Sequence, residues 1–211
     1  MRFVALFLIS FIMTTAFSQK KDRIDETGNK IVGFGAGLSL TGIYLEQDYN
    51  NDTIDYVSNA KVALQAHFEY FASKKISLGV QSSIQNFKVF VNSWDFESKN
   101  AMPRTVENVS VNMNRIYFGA RILLHYKNTS KLDVYSGIRA GAVYWSKKFS
   151  IDDNEFEKEF EEEFPFNTRQ SIGLIALGSR VKFTPEIAAH IELNIGAPYL
   201  FAFGASYTFK K

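Results

Sequence analysis

Apolar residues alternate with polar or small residues along eight separate runs of this chain, and this pattern constrains its fold more than any other feature. Successive side chains of a β-strand point to opposite faces, so each run predicts a strand with one apolar and one polar face. The predicted strands cover residues 31–44, 60–71, 76–91, 110–126, 132–147, 169–183, 187–195 and 200–209. The sequence therefore predicts an all-β fold.

Two of these strands have an irregular pattern. In the third, the apolar residues change from even positions, ending at Ile84, to odd positions from Phe87 onward. Such a change of parity predicts a β-bulge. In the sixth, apolar residues occupy even positions at Ile172 and Leu174 and odd positions from Ile175 onward, so two faces could be the apolar one. We expect the odd positions to form the apolar face.

The amino terminus has the features of a secretory signal peptide. Arg2 precedes an apolar run that is too short for a transmembrane helix and ends in the segment Ala-Phe-Ser, with small residues at the cleavage-determining positions. We expect cleavage of residues 1–18 before Gln19, followed by a polar leader over 19–30 and a single domain over 31–211. The chain has no cysteine, which excludes disulfides, a lipid-modified cysteine and cysteine-ligated metal.

The connections alternate between short and long. Those between strands two and three, four and five, and six and seven are short, and those after strands one, three and five are long and polar. Because successive hairpins point to opposite ends, the long loops are predicted to share one end, and the last hairpin, GAPY at residues 196–199, is the short one at that end. A formal net charge of +2 provides no basic field for nucleic acid, so nucleic-acid binding is excluded as a function class.

Alternation alone leaves open which face points inward. In a lipocalin-type secreted barrel the apolar face surrounds a ligand, whereas in an outer-membrane barrel it contacts lipid. The polar face here combines glycines with arginines and glutamates, which suits a narrow packed lumen of eight strands. Aromatic residues at both ends of the apolar face suit two interfacial girdles. We therefore predict an eight-stranded antiparallel up-and-down transmembrane β-barrel in the cell outer membrane; an exported lipocalin-like carrier of a small ligand is the alternative.

Three segments resemble one known group of proteins. The sequences VGFGAGLSL, SGIRAGAVY and FGASYTF, together with the Gln19 start, are similar to the small outer-membrane barrels of the OmpA and OmpX type, especially the porin-family barrels of Bacteroidetes-like Gram-negative bacteria. The resemblance implies a monomer that contacts outer-membrane lipids and lipopolysaccharide. It also implies recognition of a terminal aromatic residue by the barrel-assembly machinery, and here Phe209 is followed by Lys210 and Lys211.

The polar face carries ionisable residues that we expect near the middle of the membrane. A charge on the lipid face at that depth costs about 2–4 kcal/mol, so these side chains are predicted to point inward and to pair with one another. The expected result is a hydrogen-bonded plug that gives the protein a structural or surface-interaction role; a narrow porin for small solutes is the alternative. The predicted lumen polar network consists of His67, Glu69, Arg121, Arg139, His190 and Glu192.

No catalytic, cofactor or metal site is predicted. The stretch AAHIELNIG resembles the histidine-containing strand of lipid A deacylases, but Glu192 occupies the position of their nucleophilic serine. The three histidines, His67, His125 and His190, are predicted in the half near the short turns, whereas lipid A lies in the opposite leaflet. No two of them are spaced as metal ligands on one strand.

The segment NEFEKEFEEEFPF follows the fifth strand and is predicted in the third long extracellular loop. Phe156, Phe160 and Phe164 recur at every fourth residue and drift by about 40° per step around a helix, and Pro165 ends the segment. Charge runs of this kind usually form solvated faces, which favours a solvated lid without a partner. The functional hypothesis is that these rings lie on the barrel rim or outer leaflet while the carboxylates bind divalent cations that bridge lipopolysaccharide, or a cationic partner. The acidic residues are Asp152, Asp153, Glu155, Glu157, Glu159, Glu161, Glu162 and Glu163.

Overall fold

Antiparallel strands form the part of the chain that the computed structural model describes, residues 27–39, 56–58, 62–96, 104–150, 168–196 and 198–210. The predicted signal peptide, most of the predicted leader and the acidic residues 152–163 lie outside these ranges. The strands are β1 (Lys30–Leu38), β2 (Tyr56–Ser58), β3 (Val62–Phe71), β4 (Ile76–Phe96), β5 (Arg104–Asn128), β6 (Leu132–Ser150), β7 (Arg169–Lys182), β8 (Ile187–Ile195) and β9 (Phe201–Phe209).

The strands close into a barrel. β1 pairs with both β3 and β9, and each later strand from β3 onward pairs with the next, so the sheet has no open side. The short β2 pairs with β4 just beyond the end of the β3 ladder, so β2 and β3 together form one of the strands around the barrel, each of which we call a stave. The described architecture is an eight-stave antiparallel barrel, and the predicted fold class is confirmed.

The outer surface of the barrel is apolar. Side chains such as Phe34, Leu64 and Phe203 are more than half exposed, and similar residues cover the outside of the other staves. Monomers in water rarely expose contiguous apolar patches above a few hundred Å², so a surface of this kind is suited to lipid. No helix long and apolar enough to cross a membrane occurs in the described ranges.

Aromatic side chains occupy both ends of the outer surface, as predicted. At the short-turn end the exposed rings, which we call the inner girdle, belong to Tyr70, Tyr126, Phe183, Tyr207 and Phe209. At the other end Tyr144 and Phe201 point outward and form the outer girdle. Rings at these two levels are positioned to contact the lipid headgroup region on either side of an apolar belt.

The predicted bulge in the third strand is wrong. β4 keeps one unbroken register with β5 from Ile76, opposite Leu124, to Phe96, opposite Arg104. Phe87 and Val89 are 3% and 5% exposed and point into the barrel. The apolar parity changes because the interior becomes apolar at this height, while the strand itself stays regular.

β4 and β5 also extend farther than predicted. Residues 92–109 were expected to form a long loop, but the ladder continues through Ser93, opposite Glu107, to Phe96, opposite Arg104. β5 is 25 residues long, whereas a tilted strand needs only about 9–11 residues to cross a bilayer. The excess forms a hairpin that projects beyond the membrane at the long-loop end.

A bulge lies instead in β7, the predicted sixth strand. The register shifts between Ile175 and Leu177 against β8, and a second shift affects the ladder with β6. Ile172 and Leu174 point outward before the bulge, and Leu177 points outward after it. Ile175 is fully buried in the barrel, so its predicted place on the apolar outer face is wrong. Both competing apolar sets can face outward because the bulge reverses the parity between them.

Candidate functional site

The lumen contains a buried polar network. The structure places all six predicted residues inside the barrel, each no more than 3% exposed. They come from four staves, β3, β5, β6 and β8, whose alternation directs the polar face inward once the apolar face contacts lipid. The network is therefore a consequence of the same pattern that produces the outer apolar belt.

Arg121 lies between two carboxylates at the centre of the network. Its Nη2 atom is 2.5 Å from Oε1 of Glu192 and 3.2 Å from Oε1 of Glu69. Arg180 donates from Nη2 to both carboxylate oxygens of Glu69, each at 2.5 Å. Four charged side chains from β3, β5, β7 and β8 thus form a continuous chain of ion pairs across the lumen.

Arg180 extends this chain toward the short turns. Its Nη1 atom donates to Oδ2 of Asp133 at 3.0 Å, and Oδ1 of Asp133 lies 2.7 Å from Nδ1 of His125. The other ring nitrogen of His125 is 2.9 Å from Oγ of Ser77. Sequence reasoning left Asp133 and Arg180 out of the site. Both belong to inward-facing positions of their strands, and their Cα atoms are register partners across β6 and β7.

Ser77, His125 and Asp133 have the order of contacts found in nucleophile, base and carboxylate triads. Ser77 is fully buried, however, and Phe71 covers the imidazole with its ring centroid 4.6 Å away. Asp133 is also shared with Arg180, which holds the carboxylate in the lumen network. We interpret this row as a structural element that closes the short-turn end of the lumen.

Two tyrosines complete the filling of the lumen. The Tyr135 hydroxyl donates to Oε1 of Glu192 at 2.9 Å. Tyr199, from the connection between β8 and β9, points into the barrel, where its hydroxyl accepts from Nε2 of Gln81 at 2.7 Å and donates to Gln65. Sequence reasoning missed Tyr199 because its segment was assigned only to a short hairpin. No alternation pattern indicates that a connecting residue folds inward.

Arg139 occupies a different environment from Arg121. Its Nη2 atom donates to the carbonyl oxygens of Gly196, at 3.3 Å, and Tyr199, at 3.2 Å. Its guanidinium lies 4.7 Å from the ring centroid of Tyr199. Within the described ranges Arg139 has no ion pair, and Arg180 occupies the role of second guanidinium that the sequence assigned to Arg139.

His67 and His190 lie beside the central ion pairs. Their ring centroids are 5.0 Å apart in an edge-to-face arrangement, and Nε2 of His67 is 3.6 Å from Oε1 of Glu69. Gly33 makes room for this ring, since a Cβ atom at that position would lie 2.2 Å from Cε1 of His67. Among the residues that the structure describes, no group of three or more histidine, cysteine, aspartate or glutamate side chains could hold a metal ion.

Comparison with known proteins identifies the fold. No family model matches the sequence, and no curated protein matches it. The crystal structure of the outer membrane protein OprG from Pseudomonas aeruginosa is similar, with a TM-score of 0.52 and 10% identity over 90% of this chain and 99% of that chain. The N-terminal β-barrel domain of Pseudomonas aeruginosa OprF matches with a TM-score of 0.42 and 11% identity over 87% and 98% of the two chains. The similarity to OprG shows that the fold is that of a small outer-membrane β-barrel.

Proposed function

We propose that this protein is an outer-membrane barrel with a closed lumen and a structural or surface-interaction role. The observation that carries the proposal is the position of Arg121, which links Glu192 to Glu69 across the barrel. Tyr199 fills the lumen on the long-loop side of these ion pairs. A solute would have to break several buried charge contacts to pass.

The projecting hairpin supports a role at the cell surface. The β4–β5 ladder continues to Phe96 and Arg104, well beyond the level of Tyr144 in the outer girdle. The acidic segment 152–163 follows β6, whose last residue Ser150 pairs with Ser110 at the base of this hairpin. We propose that the two together contact divalent cations that bridge lipopolysaccharide, or a cationic partner outside the cell. The chemistry proposed here is binding, with no enzymatic step and no cofactor.

A narrow porin is the second candidate. Several buried polar atoms lack a hydrogen-bond partner in the described structure, among them Nη1 of Arg139, the hydroxyl of Tyr117 and both side-chain atoms of Asn194. Buried polar groups are normally hydrogen-bonded, so water molecules in the lumen next to these atoms would satisfy their hydrogen bonds. A continuous file of such waters would favour conduction.

Conductance in planar bilayers separates the two candidates. We expect the purified wild-type barrel to show no discrete conductance steps, and the double variant Tyr199→Ala/Arg121→Ala to conduct because it removes the plug on both sides of Gln81. The matched control is Ile84→Ala, on the outer face of β4, which should remain silent. Steps of similar size in the wild type and the double variant would favour the porin.

The location of the protein is tested by cell fractionation. We expect the full chain in the outer-membrane fraction, with faster gel mobility before boiling than after, because closed barrels stay folded in detergent until heated. Recovery of a soluble periplasmic protein without heat-dependent mobility would instead favour the lipocalin-like carrier.

A further inference from the structure

A group of exposed lysines lies at the short-turn end of the barrel. Lys30 begins β1, Lys74 and Lys75 lie in the turn between β3 and β4, Lys131 lies in the turn between β5 and β6, and Lys210 follows β9. All five are exposed, and we refer to them as the basic rim. The rim has no part in the lumen network or in the projecting hairpin.

The basic rim carries an excess of positive charge. Glu186 is the one carboxylate that the described part of this end presents to solvent, and its Oε1 atom accepts a hydrogen bond from Nζ of Lys210 at 3.0 Å. This hydrogen bond lowers the pKa of Glu186. Within the described residues no ion pair joins Lys30, Lys74, Lys75 or Lys131 to another side chain.

The rim lies at the level of lipid headgroups. Lys30 is the register partner of both Tyr70 and Phe209, two outward-facing rings of the inner girdle. Lys75 directly precedes the outward-facing Ile76. Lysine side chains next to an interfacial aromatic girdle extend their ammonium groups into the headgroup layer while their methylene stems contact apolar surface.

We propose that the basic rim binds the phosphate groups of anionic phospholipids in the leaflet that surrounds the short-turn end. In outer-membrane barrels the short turns face the periplasm, so this is the inner leaflet. A phospholipid phosphate is held in the layer that these ammonium groups reach, beside the acyl chains that contact the apolar belt. Cell-wall polymers also carry anionic groups, but the adjacent girdle favours a lipid, because only a lipid contacts the rings and the lysines together.

The proposal is tested by reconstituting the full-length barrel in bilayers that contain spin-labelled phosphatidylglycerol or phosphatidylcholine. Electron paramagnetic resonance then gives the relative association of each lipid with the protein. We expect the wild type to prefer phosphatidylglycerol by about fivefold, the factor for one lysine near an anionic surface. The preference should fall in 0.5 M NaCl, since salt screens exposed charges.

Three triple variants locate the effect. Lys30→Gln/Lys75→Gln/Lys131→Gln removes three rim charges, and we expect it to reduce the preference to less than about twofold. The control, Lys88→Gln/Lys148→Gln/Arg169→Gln, removes three exposed charges at the opposite end and should keep the preference. The variant Lys30→Arg/Lys75→Arg/Lys131→Arg keeps the rim charge and should behave like the wild type.

The unboiled gel mobility of each variant shows whether it has folded. Equal lipid preference in the wild type and the folded rim Gln variant would overturn the proposal, as would a wild-type preference that salt leaves unchanged. Rim-dependent retention on peptidoglycan sacculi, with no preference between the two lipids, would also overturn it and assign the rim to the cell wall. Should the Gln variant fail to fold, the salt dependence of the wild type decides the question.

Discussion

The substitution Arg121→Ala is expected to lower the free energy of unfolding by about 3–5 kcal/mol, the cost of leaving a buried charge without its partner. Arg121 contacts Glu192 at 2.5 Å and Glu69 at 3.2 Å, and none of the three side chains is exposed. Glu69 keeps its contacts with Arg180 after the change, but among the described residues Glu192 keeps only the hydrogen bond from the Tyr135 hydroxyl. The loss therefore comes mainly from the uncompensated Glu192 carboxylate.

A double-mutant cycle identifies this cause. Arg121→Met alone leaves the Glu192 carboxylate unpaired, and Glu192→Gln alone leaves Arg121 with Glu69 as its partner. The double variant Arg121→Met/Glu192→Gln removes both charges and should be less destabilised than the sum of these two single variants. Urea titration of the barrel folded in vesicles gives each free energy of unfolding, with Trp94 and Trp145 as fluorescent probes. The exposed ion pair between Lys210 and Glu186 provides the control, since Lys210→Ala should change the free energy of unfolding little. Additive effects in the cycle would contradict the ion-pair assignment.

Period-2 alternation predicted which residues enter the lumen but not which of them pair. Arg121, Glu69 and Glu192 lie on polar faces that the sequence reveals directly, and their burial follows once the other face contacts lipid. Pairing depends on the stagger between staves that are distant in the chain. Arg180, for example, reaches Glu69 across 111 positions in sequence. Arg139 was an equally reasonable partner from the sequence alone.

The irregular features depend on information that local patterns do not contain. The β7 bulge places Ile175 inside and Leu177 outside, and a one-residue insertion of this kind is indistinguishable from two competing apolar faces in the sequence. In β4 the opposite error arose, because an apolar interior around Phe87 produced the same change of parity without a bulge. The positions of apolar residues therefore show which environment each face of a strand meets. They show the backbone register only where the environment of a face stays the same along the whole strand.

The length of the hairpin was underestimated for a related reason. In residues 92–109 polar residues such as Asn92 and Asp95 are mixed with apolar ones, so no period-2 alternation marks a strand there. Backbone pairing persists there, as shown by Trp94 opposite Val106 and Asp95 opposite Thr105. A stretch without alternation between two clear strands thus does not by itself indicate a loop.

Placing an arginine on the outer face at mid-depth should be costly only if that face contacts lipid. Ile122 points outward from β5 between Leu78 and Ile138, four residues from the inner girdle ring Tyr126. Ile122→Arg is expected to lower the free energy of unfolding from vesicles by about 2–4 kcal/mol, because the guanidinium would lie near the bilayer midplane. Urea titration of the wild type and the variant in vesicles of the same lipid measures the difference.

The control is Phe183→Arg, at the short-turn edge of the same apolar surface, where the ring is exposed at the interface. There the cost should be only about 0–1 kcal/mol, since an arginine at that level reaches the headgroups. A depth-dependent difference between the two variants is the signature of a bilayer around the barrel. A water-soluble barrel would tolerate both changes within about 0.5 kcal/mol, because exposed substitutions in water rarely cost more, and equal small effects at Ile122 and Phe183 would thus exclude the membrane assignment.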